Sequence, residues 1–168
     1  GRKLVFVGDF CDRGPDSPGV IQLVKKLVSA GVATAILGNH EINLLVNDAK
    51  DGSGWFFPER YKPDQRYYAP LAGERASIVD FLNQLPLALE RSDLRIVHAT
   101  WHQEKIDQIR DLKTGQIKTL HDGWETQLHQ HAQQSGLLQR YREEKARWKQ
   151  QIEDENNPPP FLQRRHDL

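Results

Sequence analysis

Apolar residues along this chain follow two different periods, and the alternation between them predicts the elements. Lys3 to Val7 is a short apolar and β-branched run closed by Gly8, the pattern of a buried strand. Val20, Ile21, Leu23, Val24, Leu27 and Val28 then recur at helical spacing, with Ser17 able to cap the helix, Pro18 suited to its first turn and Gly31 to its end. Val32 to Leu37 reads as a second buried strand. Two strands joined by a helix predict a right-handed βαβ unit with parallel strands.

Further along, Ile42, Leu44, Leu45 and Val46 predict a short apolar helix. Asp48 to Pro70 has no clear period and is rich in Gly, Pro and Tyr, as expected of a long loop that is either a lid or binding surface or else mobile. Helical spacing returns through Ala76, Ile78, Val79, Phe81 and Leu82, within Gly73 to Leu85, and Pro86 ends it. Leu87–Glu90 and Leu94–Thr100 predict a hairpin around Arg91-Ser92-Asp93 that delivers His98, Trp101 and His102 at the end of its second strand. From Gln103 the composition turns polar, and Leu137, Tyr141, Trp148 and Ile152 trace one face of a long charged helix, which is read as a solvated amphipathic helix or as an interaction arm. The expected organisation is a core over 1–102, a polar, mostly helical insertion over 103–155, and a Pro-rich turn or linker with a tail over 156–168.

Composition narrows the function classes. With 168 residues, 38% hydrophobic and 27% charged, one core and a smaller helical appendage are expected. Lys plus Arg and Asp plus Glu are equal at 23 each, so no overall field favours nucleic acid or an anionic membrane, and an anionic ligand must be held locally. The single cysteine, Cys11, excludes an internal disulfide, no stretch has the length of a membrane span, and a cytoplasmic location is expected. The chain contains no Met and opens at Gly1-Arg2-Lys3 directly before a strand, which leads us to expect a fragment.

The chemistry is concentrated after the predicted strands, in "GDFCDRG", "GNHE" and "VHATWH". In open α/β sheets ligands bind beyond the carboxyl ends of the strands, which makes the first two clusters neighbours. Asp9 and Asp12 bracket one loop, and Asn39 and His40 lie on the next. Oxygen and imidazole donors of this kind suit Mn, Fe or Zn. Two such ions need a bridging carboxylate, for which Asp9 is placed, and Arg13 offers a bidentate fork for phosphate oxygens. His40 is the candidate to protonate a leaving oxygen, with Asp12 orienting its ring. Each motif also has a plainer reading: Gly8-Asp9 as a turn, Asn39-His40 as a helix start, His98 as a core histidine. Their coincidence favours the chemical one. Cys11 lacks a phosphate-cradling loop and reads as a small filler, His121, His129 and His131 read as solvent-facing, and the run Trp55, Phe56, Phe57 with Tyr61, Tyr67 and Tyr68 reads either as packing under a loop or as a wall for a nucleobase.

Gly8-Asp-x-x-Asp-Arg-Gly14, Gly38-Asn-His-Glu41 and the His98 strand resemble signature blocks of the calcineurin-like metallophosphoesterases, closest to the phosphoprotein phosphatase branch and its bacterial relatives, which include diadenosine tetraphosphatases. The resemblance covers roughly Lys3 to His102. It implies an α/β fold, a β-sandwich flanked by helices, with an added C-terminal helical segment in this chain. By motif position it implies two divalent metal ions with Asp9 bridging, Asn39 and His98 on the second ion, Arg13 on the phosphate, His40 as general acid paired with Asp12, and a metal-bound hydroxide as nucleophile. Trp101 and His102 are expected to shape the substrate pocket. The implied activity is hydrolysis of phosphoric monoesters of the Ser/Thr phosphoprotein type, with a dinucleoside polyphosphate hydrolase and a catalytically silent binding scaffold as alternatives. The implied partner is a phosphorylated substrate, protein or nucleotide. Two blocks of the family are missing: an Asp-x-His expected before Gly1, and a late Gly-His, since His166 follows arginines. A fragment would account for both.

Overall fold

The computed structural model describes residues 3–64 and 72–151. The chain divides into two compact units, 1–118 and 119–168. In the first, strand β1 (Leu4–Val7) pairs in parallel with β2 (Ala33–Ile36), Leu4 opposite Ala33 and Val7 opposite Ile36, and helix α1 (Ser17–Ser29) connects them. The predicted βαβ unit is therefore present. Its cap differs from the expectation. Asp16 is the N-cap, its Oδ1 accepting the Gly19 N–H at 2.9 Å, while the Ser17 hydroxyl accepts the Asp12 N–H at 3.0 Å. The shift frees Ser17 to tie the helix start to the charged loop before it.

Helix α2 (Asn39–Val46) leaves the end of β2 directly and stops at Asn47, a left-handed residue with φ 59°. The segment to Asp64 contains one short 3-10 turn, Pro58–Arg60. Helix α3 (Ala72–Leu82) follows, then a hairpin of β3 (Ala88–Arg91) and β4 (Leu94–Val97), as the alternation predicts. Among the described residues the strands make two separate two-stranded sheets, one parallel and one antiparallel, so the fold is mixed α/β and the expected β-sandwich is not confirmed. The expectation of a buried first strand also needs correction. Among the described residues β1 has one strand neighbour, and Leu4 and Val7 are 50% and 45% exposed.

The core of this unit gathers Ile21 and Val24 of α1, Ala35 and Leu37 around β2, Leu44 and Leu45 of α2, Trp55 to Phe57, and Ile78, Phe81 and Leu82 of α3. Ile21 and Val24 carry most of the α1 anchorage, at about 1.5–3 kcal/mol for each fully buried side chain. Trp55 and Phe56 meet edge to face with centroids 5.4 Å apart, and Phe56 and Phe57 likewise at 4.9 Å. Their burial makes them core. Tyr67 and Tyr68 lie outside the described residues. The Leu37 N–H donates to the Pro86 carbonyl at 3.0 Å, joining the end of β2 to the approach of the hairpin.

Beyond the hairpin, α4 (Gln103–Ile109) belongs to the first unit, and α5 (Ile117–Gln134) runs across the division. Gly136, at φ 75°, separates α5 from α6 (Leu137–Gln151). The predicted amphipathic helix is α6; Ile152 and the Asn156–Pro160 stretch lie outside the described residues. No helix among the described residues is long and apolar enough to cross a membrane.

Candidate active site

The close approach of two glycines builds the site. Gly8 follows β1 at φ 80°, a conformation that an L side chain resists, and a Cβ there would lie 2.6 Å from the Gly38 Cα and 2.8 Å from the His98 Nδ1. The loops after β1 and β2 can thus meet backbone to backbone. Glu41, fully buried, fastens them: its Oε2 accepts the Asp9 and Gly38 N–H groups at 2.8 and 2.9 Å, and its Oε1 accepts the Phe10 N–H at 3.0 Å and the Cys11 thiol at 3.1 Å. A buried carboxylate with four donors is compensated rather than strained. Burial, and then the adjacent Glu41 charge, push the Cys11 thiol far above its ordinary range, which matches a packing role.

The loop that Glu41 holds carries three left-handed residues besides glycine: Asp9 at φ 53°, Asp12 at 68° and Arg13 at 55°. Such conformations cost on the order of 1–3 kcal/mol each and persist only where surrounding contacts determine them. They turn the side chains to specific partners. The Asp9 Oδ1 accepts the His40 N–H at 3.3 Å, and its Oδ2 lies 3.3 Å from the His98 Nε2. The His98 Nδ1 is 2.7 Å from the Val7 carbonyl. A carbonyl only accepts, so Nδ1 carries the proton and, in the neutral ring, Nε2 presents a lone pair to the Asp9 carboxylate. Two acceptors that face one another need a proton or a cation between them.

The buried Asp12 carboxylate makes a second centre. Its Oδ2 pairs with the His40 Nδ1 at 2.7 Å, and its Oδ1 accepts the Trp55 indole N–H at 2.6 Å. Asp12 thereby orients the His40 ring and engages its Nδ1, leaving Nε2 outside that pair. Arg13 is 62% exposed in its side chain, with the Asp51 carboxylate 4.0 Å from Nε, and its backbone N–H donates to the Gly52 carbonyl at 3.4 Å. Asn39 is exposed on the first turn of α2.

The structure therefore brings Asp9, Asp12, His40 and His98 into direct contact, with Asn39 and Arg13 adjoining them in sequence. Trp101 and His102 make other contacts. The Trp101 ring lies under the Arg95 guanidinium, 5.0 Å from its centroid, and lines a cavity of ≈ 410 Å³ with Pro86, Leu87, Ile106 and Arg110, whose lining includes none of the six residues just named. His102 is the N-cap of α4. His129 and His131 are exposed and His121 is half-buried beside Asp122 at 3.6 Å. Sequence reasoning gave no role to Glu41 or to the link between Trp55 and Asp12. The first had a local signal, a Glu three residues past a helix N-cap, where it reaches back to the cap N–H.

A sequence model of the calcineurin-like phosphoesterases matches residues 2–165. The chain belongs to that family. Among curated proteins it is 36% identical over 96 residues to a symmetrical bis(5'-nucleosyl)-tetraphosphatase of Ralstonia nicotianae, covering 57% of this chain and 32% of that protein. It is 32% identical over 123 residues to the symmetrical enzyme of a Shewanella species (strain ANA-3), covering 69% and 42%. Over 39 residues it is 59% identical to an asymmetrical bis(5'-nucleosyl)-tetraphosphatase, PrpE, of Oceanobacillus iheyensis, covering 23% and 16%. The chain thus spans about a third of the length of the first of these relatives. No solved structure gives a significant match.

Proposed function

We propose that this chain supplies metal-binding, phosphate-binding and acid–base groups of a phosphoric ester or anhydride hydrolase. The observation that carries the reading is the His98 Nε2 facing the Asp9 Oδ2 at 3.3 Å, with Nδ1 anchored on the Val7 carbonyl. An imidazole that donates one nitrogen to a backbone carbonyl and offers the other is the usual form of a metal-ligating histidine. Adjacent ligand atoms on a divalent ion with bonds of about 2.0–2.2 Å stand roughly 3.0–3.5 Å apart, so the pair fits one edge of such a site. Asn39, exposed nearby in sequence, is the third donor, and Asp9 is the carboxylate that would bridge two ions. Among the described residues no three of His, Cys, Asp or Glu are placed to hold one metal ion together, so this chain's own contribution is a partial ligand set. The oxygen and imidazole donors suit Mn, Fe or Zn.

When bound, such ions activate water and neutralise phosphoryl charge. Around them, Arg13 would grip the phosphate, and His40, its Nδ1 committed to Asp12, would deliver a proton from Nε2 to the leaving oxygen. Trp101 and His102 remain candidates for the outer wall of the substrate site. The names of the relatives favour a dinucleoside polyphosphate over a Ser/Thr phosphoprotein as substrate. The buried thiol and the absence of a membrane-crossing helix among the described residues are compatible with a cytoplasmic location. The test is to incubate the intact protein and manganese with diadenosine tetraphosphate and, separately, with a phosphoserine peptide, and to separate the products. Nucleotide products are expected. Turnover of the peptide alone would favour the phosphoprotein reading, and turnover of neither would overturn the hydrolase.

A further inference from the structure

The segment from Asp51 to Asp64 contributes Trp55, Phe56 and Phe57 to the core and also touches the charged loop at Asp12 and Arg13. Trp55, fully buried, donates its indole N–H to the Asp12 oxygen that His40 does not use. Asp64, 2% exposed, accepts the Gly52 and Gly54 N–H groups at 3.1 and 3.0 Å and receives the Arg60 Nε at 3.4 Å, while the Arg60 Nη2 reaches Asp51 at 3.2 Å. That arrangement sets the turn at Gly52, which has φ 87°. Its carbonyl accepts the Arg13 N–H, and a Cβ at Gly52 would lie 2.6 Å from the Arg13 Cγ and 2.8 Å from the Arg13 N. Asp12 and Arg13 are consecutive left-handed residues, a strained pair that something outside the loop must hold.

We infer that the 51–64 segment is a positioning clamp in which Trp55 orients Asp12, and through it His40, while Asp64, through Gly52, sets the stem of Arg13 for the phosphate. The inference rests on the hydrolase reading and adds positioning residues to it. Two arms of one clamp acting on two different groups leave separable signatures.

The experiment uses the manganese-loaded intact protein with p-nitrophenyl phosphate. Trp55→Phe removes a donor from Asp12 and should lower kcat about tenfold or more with KM little changed. Gly52→Ala displaces the Arg13 stem and should raise KM, and weaken competitive inhibition by inorganic phosphate, about tenfold with a smaller change in kcat. A purely structural role would lower both variants' rates together in proportion to the folded fraction, and that result, or parameters unchanged in both, overturns the clamp. Two readouts do not depend on turnover. The Trp55 indole proton should resonate downfield and lose that shift in Asp12→Ala, and calorimetric phosphate affinity should fall about tenfold in Gly52→Ala. An inactive parent protein would defeat the hydrolase reading alone; an ordinary indole shift together with unchanged phosphate affinity would defeat the clamp.

Discussion

In the loops after β1 and β2 and in the segment to Asp64, the carboxylates of Asp12, Glu41 and Asp64 are buried and partnered by fixed donors, Asp12 by His40 and Trp55, Glu41 by the N–H groups of Asp9, Phe10 and Gly38, and Asp64 by those of Gly52 and Gly54 in its own segment. On α6, Arg147 has its partners on the same helix: it lies 3.9 Å from Glu143 and 3.2 Å from Glu144, and the three side chains are 61%, 49% and 36% exposed. The residue types are the same and the physics differs. A buried carboxylate loses hydration and must recover it from fixed donors, so its position is set by them, whereas an exposed ion pair contributes about 0–1 kcal/mol. Chemistry that needs placed groups belongs to the first environment.

The comparison can be broken by substitution, starting with the largest effect. His40→Asn removes the group that Asp12 orients, and kcat of the intact enzyme should fall about 10²–10⁴-fold while the melting temperature changes little. Glu41→Gln places an NH2 against backbone N–H donors and should destabilise the fold by about 3–5 kcal/mol, read by denaturant titration. Gly8→Ala forces a Cβ against Gly38 and strains a positive φ, for a loss of about 1–3 kcal/mol by the same measurement.

Smaller effects sharpen the other side. Glu90 is held below the usual carboxylate range chiefly by its hydrogen bond from Arg110, 2.7 Å away. With the folded-state pKa lowered, its contribution is present above the ordinary Glu value of about 4.3 and is lost as the pH falls through the folded value. The melting temperature of the parent should therefore exceed that of Glu90→Gln slightly at pH 7, and the gap should close in acid. Arg147→Ala should alter stability by less than about 0.5 kcal/mol at any pH tested.

Local patterns made much of this fold legible. Period and punctuation are properties of neighbouring residues, so the βαβ unit, the hairpin and α6 could be read from Val20 to Gly31, from Arg91-Ser92-Asp93 and from Leu137 to Trp148. The exchange of capping roles between Asp16 and Ser17 was not, because Ser17 answers to Asp12, a partner set by the loop. Trp55 on Asp12 spans 43 positions and Glu41 on Asp9 spans 32, and no periodicity encodes such contacts. The candidate residues could be named from their chemistry after strand ends. Their division into the Asp9–His98 pair and the Asp12–His40–Trp55 chain required the geometry.

The most direct test of the central claim is calorimetric titration of manganese into the intact protein, its Asp9→Asn variant and its His98→Ala variant. If the His98 lone pair and the Asp9 carboxylate form one edge of a metal site, both variants should bind manganese weaker by about a hundredfold or more. Affinity equal to that of the parent in both would show that the two side chains face each other across a shared proton, and the metal assignment would fail.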